Sequence, residues 1–484
     1  MRRFFLVVTA ALLTVCVGCS AVPATSDVPS DASRTGKTDD TQKTFAVAYS
    51  AKDTLDPFAA STEVNVRLSG LLYDGLTAID DGLTAQPSLA SSVTMTDATH
   101  WTATLRDDAV FSDGSPVTTK DVVASFELAR SSTPYRALLS NVLSATAKGE
   151  DIVFTLATPD PQAAACLSYP VIRVSTRSTS VGQAPVGSGL YCLQKEEDGT
   201  LSLTANPHSG KKLPYQTVAL RHYPNTDRMY YGLTSGDITY YYNDLDSGTV
   251  PRVSGASAAV PMNALVFLGI NPLRPALSSA AMREGLSLLL DRKTLAASAY
   301  SGWALPASTP FHPQWSAVRD VTGWSVERDL TAGLEKIADA GYGAEGEPMP
   351  TPELMYSTDS GLFASAALSV ASALESAGIK VKVTPLDYET YKSRIAAGDF
   401  DLYLGEIRLT AAMDLTPLMS GAAAVAYRQY RAGEKTVAEF IDAFAADMPY
   451  LPLCWRCGFA AYGRHLAKVT PHGYNVFYGF DQWK

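Results

Sequence analysis

The chain has 484 residues, 46% of them hydrophobic, and a formal net charge of −10 from 49 acidic and 39 basic side chains. That length exceeds one ordinary hydrophobic core, so two or three lobes are expected, and the apolar content excludes a mostly disordered chain. The acidic balance, with no dense Lys/Arg cluster to reverse it, excludes nucleic acid as a partner.

In chain order, Arg2-Arg3 precede an apolar run over residues 4–17, a length that suits a signal segment better than a membrane span. The run ends in Cys16-Val17-Gly18-Cys19, which resembles a bacterial lipobox with Cys19 as the lipid-bearing residue. Cys16 stands where Leu is usual. A cleaved, unlipidated signal and a retained single-span anchor are the competing readings. Residues 20–44 are rich in Ser, Thr, Asp, Pro and Lys and read as a flexible tether. No later stretch approaches the length of a transmembrane helix.

Residues 45–49 alternate like a strand and lead into Leu55-Asp56-Pro57. A helix is expected over 64–72, followed by Tyr73-Asp74-Gly75-Leu76, an Asp-Asp-Gly turn at 80–82, and Pro87-Ser88-Leu89-Ala90. Residues 101–105 form a strand. Phe111 and an Asp113-Gly114 turn precede a helix opening at Thr118-Thr119-Lys120-Asp121, where hydroxyl and carboxylate three apart satisfy orphan N–H groups. Val122, Val123 and Phe126 follow at helical spacing. Further on, strands and helices alternate at 354–357, 362–377, 381–383, 388–397 and 400–404, which argues an α/β lobe.

Four cysteines follow the signal: Cys166, Cys192, Cys454 and Cys457. Two disulfides are permitted, with the pairing open. Cys454-Trp455-Arg456-Cys457 lies in a strand-like setting, which favours a structural disulfide or buried thiols over a zinc half-site or a redox pair. Gly341-Tyr342-Gly343-Ala344-Glu345-Gly346 fits GxGxxG but follows a helix, so it reads as a turn rather than a dinucleotide loop. The six histidines have no metal-binding spacing, and no nucleophile frame is present, so neither a cofactor nor a metal centre is expected. Tyr230-Tyr231 and Tyr240-Tyr241-Tyr242 are conspicuous; in strands, such runs place rings on both faces, some in the core and some lining a cleft.

The succession Leu55-Asp56-Pro57, Tyr73–Leu76, Pro87–Ala90, Trp101–Arg106 and Phe111–Gly114 resembles the signature of family 5 extracytoplasmic solute-binding proteins, the peptide and nickel receptors of ABC importers. Pro185–Tyr191, Gly232–Ile238, Leu268–Asn271, Arg283 with Leu289–Arg292, Ala340-Gly341-Tyr342 and Asp399-Phe400-Asp401-Leu402 continue the likeness. The resemblance implies an α/β, two-lobed periplasmic-binding-protein-like fold of class II type, with a hinge between the lobes. The first lobe would span 45–266 with an extra subdomain at about 61–184. The second would span 267–449, and 450–484 would return to the first. It also implies a monomer that captures a peptide or similar small solute, without catalysis, and delivers it to permease subunits outside the cytoplasm. Alternatives are a sensor or pheromone receptor signalling through a partner, a nickel- or metal-chelate receptor using His472 or Arg408, and a thiol redox protein.

By the same resemblance the ligand contacts are Ser61, Thr62 and Glu63, together with Tyr135, and a strand from Gly405 through Glu406, Ile407 and Arg408. Family members read "G-W-x-x-D-Y" there, with the Asp pairing a peptide ammonium. This chain has Leu409 in that place, leaving Glu406 or Asp414 to supply a carboxylate, while Arg408 suits a carboxylate or phosphate.

Overall fold

Thr118 caps its helix as its spacing requires: its hydroxyl accepts from the Asp121 N–H, while its own N–H donates to the Asp121 carboxylate. Val122 and Phe126 point from that helix into a fully buried core. The structure, a computed structural model, describes residues 45–224, 226–248, 252–253, 255–343 and 346–483. The expected signal, the lipid-bearing Cys19 and the tether lie outside these residues.

The first part runs β1 (Phe45–Tyr49), α1 (Glu63–Leu72), β2 (Thr77–Ile79), β3 (Ala85–Pro87), β4 (Ala90–Asp97) and β5 (His100–Leu105). Next come α2 (Thr119–Ser131), β6 (Val142–Lys148), β7 (Asp151–Leu156), β8 (Tyr191–Lys195), β9 (Leu201–Ala205), β10 (Thr217–His222), α3 (Thr226–Ser235) and β11 (Tyr240–Asn243). The long β12 (Ala256–Ile270) leads to α4 (Ala280–Leu288), α5 (Arg292–Ser298), β13 (Ala304–Pro306), α6 (Leu330–Asp339), β14 (Glu353–Ser357) and α7 (Phe363–Glu375). Last are β15 (Lys382–Leu386), α8 (Tyr388–Ala396), β16 (Leu402–Arg408), α9 (Gly421–Arg431), α10 (Val437–Asp447) and β17 (Tyr450–Tyr462).

One sheet runs in the order β15-β14-β16-β12-β17-β11-β1-β10-β9-β8, with β13 also on β17. Strands β4-β5-β7-β6 form a separate antiparallel sheet, and β2-β3 a hairpin. Two hydrophobic cores flank the long sheet. The first gathers Phe45, Leu68, Phe126, Phe154 and Tyr191; the second gathers Leu265, Phe311, Trp315, Leu354 and Phe440. Phe45 packs on Phe480 at 4.9 Å and Trp483 at 6.3 Å between ring centroids, so opposite ends of the described chain meet in the first core.

The antiparallel pair β12 and β17 serves both cores. Its register slips between Pro261 and Ala264, where Asn263 adopts φ +54°, and again between Val266 and Phe267. Such bulges bend a strand and strengthen its twist.

Two expectations change, those for Tyr230-Tyr231 and for the disulfides. Tyr230 and Tyr231 stand in helix α3 rather than in a strand, whereas Tyr240–Tyr242 do lie in β11. All four described cysteines are free, so neither disulfide is formed. Cys454 and Cys457 lie three residues apart in the extended β17, which sets their Cα atoms about 10 Å apart, beyond the ~7 Å a disulfide spans. Burial raises the Cys454 thiol well above its ordinary range and pushes Cys457 up to about 11, which opposes the thiolate a redox pair needs. Gly341 and Gly343 take φ +89° and +110° in the turn that closes α6; Ala344 and Glu345 lie outside the described residues.

Candidate functional site

Helix α1 separates two cavities, and Arg67 lines both. The first, about 290 Å³, lies between α1 and β11 and is walled by Thr62, Glu63, Arg67, Tyr223, Tyr242 and Phe477. The second, about 320 Å³, is lined by Tyr73, Asp74, Tyr135 and Ile79 on one side and by Thr410 and Ala411 after β16 on another. His472 and Tyr474 complete it. Apolar lining with a few converging polar groups is the usual make-up of a small-molecule site.

Arg67 is the best-anchored cation there. Its Nη1 donates to the Gly473 carbonyl at 2.6 Å and its Nη2 to Glu63 at 3.3 Å, and its guanidinium lies 5.1 Å from the Tyr242 ring centroid. Its Nε is buried without an acceptor. The Glu63 carboxyl is raised above its ordinary range, by burial first and by Asp244 second. Burial likewise pushes Asp74 up to about 6 and Tyr135 up to about 12. His472 is buried and pushed down to about 4 by burial, so it is neutral at physiological pH. Its Nδ1 accepts from the Asn475 N–H, placing the proton on Nε2. No three His, Cys, Asp or Glu side chains among the described residues converge as a metal centre.

Of the residues expected from the sequence, Thr62, Glu63 and Tyr135 line these cavities. Ser61 is exposed beside them, its N–H held by Asp53 at 2.9 Å. Gly405, Glu406, Ile407 and Arg408 lie within β16, between β14 and β12 in the sheet, and line neither cavity. Gly405 makes room for an aromatic ring, because a Cβ there would sit 2.6 Å from Phe267 Cζ. Ile407 packs against the second core. Asp414 holds the Thr416 N–H at 2.9 Å and Arg431 at 3.1 Å.

The charges of β16 are already paired. Arg408 meets Asp244 at 3.0 Å and Asp246 at 2.7 Å. Glu406 takes two bonds from Arg456, at 2.7 and 2.9 Å, and Arg456 also reaches Asp246 and the Asp244 carbonyl. Burial works against the Asp244 carboxylate, yet Arg408 holds it below its ordinary range; Asp246 is raised, by burial first. Arg456, the inner Arg of Cys-Trp-Arg-Cys, is 2% exposed and anchors this network.

Sequence reasoning missed Arg67 and Arg456. A lone Arg inside the continuous apolar run of β17 was the available signal for Arg456, since a buried cation demands a carboxylate nearby. Arg67 gave a weaker one, its i,i+4 spacing from Glu63 on α1.

Residues 84–420 match the family model described as bacterial extracellular solute-binding proteins, family 5, middle. The chain is 25% identical over 331 residues to the probable D,D-dipeptide-binding periplasmic protein DdpA of Escherichia coli K12. That match covers 64% of this chain and 62% of the relative, less than two thirds of the relative's length. It is also 25% identical over 427 residues to protein XP55 of Streptomyces lividans, covering 80% and 74% respectively. Among solved structures, the unliganded open form of the periplasmic murein tripeptide-binding protein MppA superposes with a TM-score of 0.74 at 18% identity, covering 90% of this chain and 97% of that one. A nickel ABC transporter structure from Bacillus halodurans gives a TM-score of 0.74 at 20% identity, covering 91% and 98%. The fold is therefore a two-lobed α/β architecture, as the sequence resemblance implied.

Proposed function

Because the chain belongs to the bacterial extracellular solute-binding proteins of family 5, we propose that it is a receptor that captures a small solute between its lobes and delivers it to an ABC transporter permease. The observation that carries this reading is the pair of cavities meeting at Arg67, the second of them lined by α1 and β2 and by Thr410 and Ala411 after β16. The solute is a peptide or a molecule of similar size. The printed names of the dipeptide- and tripeptide-binding relatives support that class. Thr62, Glu63 and Tyr135 contact it, with Arg67 and Tyr242 beside them. Glu406, Arg408 and Asp414, being paired already, hold the surrounding wall. The work is binding rather than catalysis, done by a monomer outside the cytoplasm that is tethered by lipid at Cys19.

Native mass spectrometry of the protein from Ser20 onward, purified without denaturation, tests this. A ladder of peptide masses that disappears on denaturing is the expected result. A bare protein that also shows no thermal shift with a panel of di- and tripeptides overturns it. One discrete metal-bearing mass would redirect the reading to a chelate held near His472.

A further inference from the structure

A third cavity, about 510 Å³, opens between α5, α7 and the segment that leads into α6. It shares no lining residue with the two cavities that meet at Arg67. Leu290, Leu295 and Val370 give it an apolar floor and are themselves buried. Leu368 lines it too and is 60% exposed.

Arg328 is the single cation among the described residues that line this cavity, and it is only partly satisfied. Its Nη1 donates to the Ser376 hydroxyl at 2.7 Å, while its Nε and Nη2 are buried with no acceptor among the described residues. Nε and Nη2 form one edge of the planar guanidinium, the edge whose parallel N–H bonds match the two oxygens of a carboxylate. The backbone around it is pinned. The Arg292 and Lys293 N–H groups both donate to the Val326 carbonyl, at 3.0 and 3.3 Å, and the Asp329 N–H donates to the Leu288 carbonyl at 2.9 Å. Neighbouring carboxylates are engaged elsewhere: Glu327 holds Lys293 at 2.8 Å, and Asp291 and Asp329 cap α5 and α6. Buried donors on a charged group are costly until an acceptor meets them, and the described fold supplies none.

Charge selects the acceptor. One guanidinium, with the Asp291 carboxylate on the same cavity, suits a singly charged ligand better than a doubly charged phosphate. The apolar floor suits an aliphatic body behind that charge. We propose that this groove is a second binding site, separate from the one at Arg67, for a carboxylate on a short aliphatic chain. The carboxylate lies on the Nε–Nη2 edge of Arg328, and the chain lies against Leu295, Val370 and Leu368. The site does not depend on the receptor reading, because no residue is shared.

Hexanoate is the probe, titrated into the protein from Ser20 onward at constant ionic strength and followed by calorimetry and saturation-transfer NMR. Saturable binding is expected, and Arg328→Gln should weaken it about tenfold to hundredfold. Arg328→Lys, which keeps the charge and loses the fork, should recover only part of that loss. Leu368→Ser should weaken hexanoate and leave acetate unchanged, and hexan-1-ol should not bind at the same concentrations. Non-saturable binding, or equal hexanoate affinity in Arg328→Gln and the unaltered protein, overturns the site. Inorganic phosphate displacing hexanoate with equal or higher affinity overturns the carboxylate assignment. Should Arg328→Gln fail to fold, full hexanoate affinity in both Arg328→Lys and Leu368→Ser overturns the proposal instead.

Discussion

Arg456 and Glu406 meet in a two-pronged ion pair across the strand that separates them: β12 lies between β17 and β16, and the guanidinium passes over Ala264. Ala264 is opposite Arg456 on one side and Arg408 on the other, so its small side chain leaves both cations room. Removing one partner strands a buried charge. Arg456→Ala is expected to cost about 3–5 kcal/mol in urea unfolding. The double variant Arg456→Met with Glu406→Gln should lose less than the single one.

Arg67→Ala should weaken binding without unfolding the protein. Hydrogen bonds to a charged group are worth about 1.5–3 kcal/mol, so binding of a responsive peptide should weaken about tenfold to hundredfold in calorimetry. Unchanged affinity would remove Arg67 from the site.

The cysteines predict a null response. Adding dithiothreitol should leave the melting temperature unchanged, because no described cysteine is bonded. Cys166, Cys454 and Cys457 should react with Ellman's reagent only after unfolding, since all three are buried.

Acid should expose the buried histidines. Burial pushes His312 down to about 3 and His472 down to about 4, so both stay neutral in the fold while an unfolded histidine takes up a proton near 6.5. Their contribution is complete above that value and declines as pH falls toward the folded one, by about 1.4 kcal/mol per pH unit for each proton. Asp74 and Asp160, each pushed up to about 6, act oppositely and regain stability as pH falls from 6 toward 4. His312→Leu should therefore be less sensitive to acid than the unaltered protein, by a slope of about one proton between pH 6 and 5. Equal slopes would count against a neutral His312.

Gly405→Ala should crowd the Phe267 ring and cost about 1–3 kcal/mol in thermal or urea unfolding. Phe267→Leu in the same chain should recover part of the loss.

What the sequence made legible was local. The cap at Thr118, the helix α1 and the strand around Cys454 follow from spacings of a few residues, and each stands as expected. The chain-order likeness carried the fold class. The site was only partly readable, because its charges are decided by sheet register. Glu406 and Arg408 look free in sequence, but their partners Arg456, Asp244 and Asp246 arrive from strands and loops far along the chain. Leu83, which reaches from the β2–β3 hairpin into the second core, gave no signal at all: an apolar residue after an Asp-Asp-Gly turn reads as hairpin filler, and only the opposite core gives it a role.

The ring contacts of Phe45 with Phe480 and Trp483 bear on when this protein takes shape. The first core is completed around its leading strand only by the residues near 480, and β17 must be present before the two halves of the long sheet are joined. Joining the two halves thus waits for the C-terminal part of the described chain. The order in which these strands leave the ribosome therefore sets the order in which the two halves can be joined.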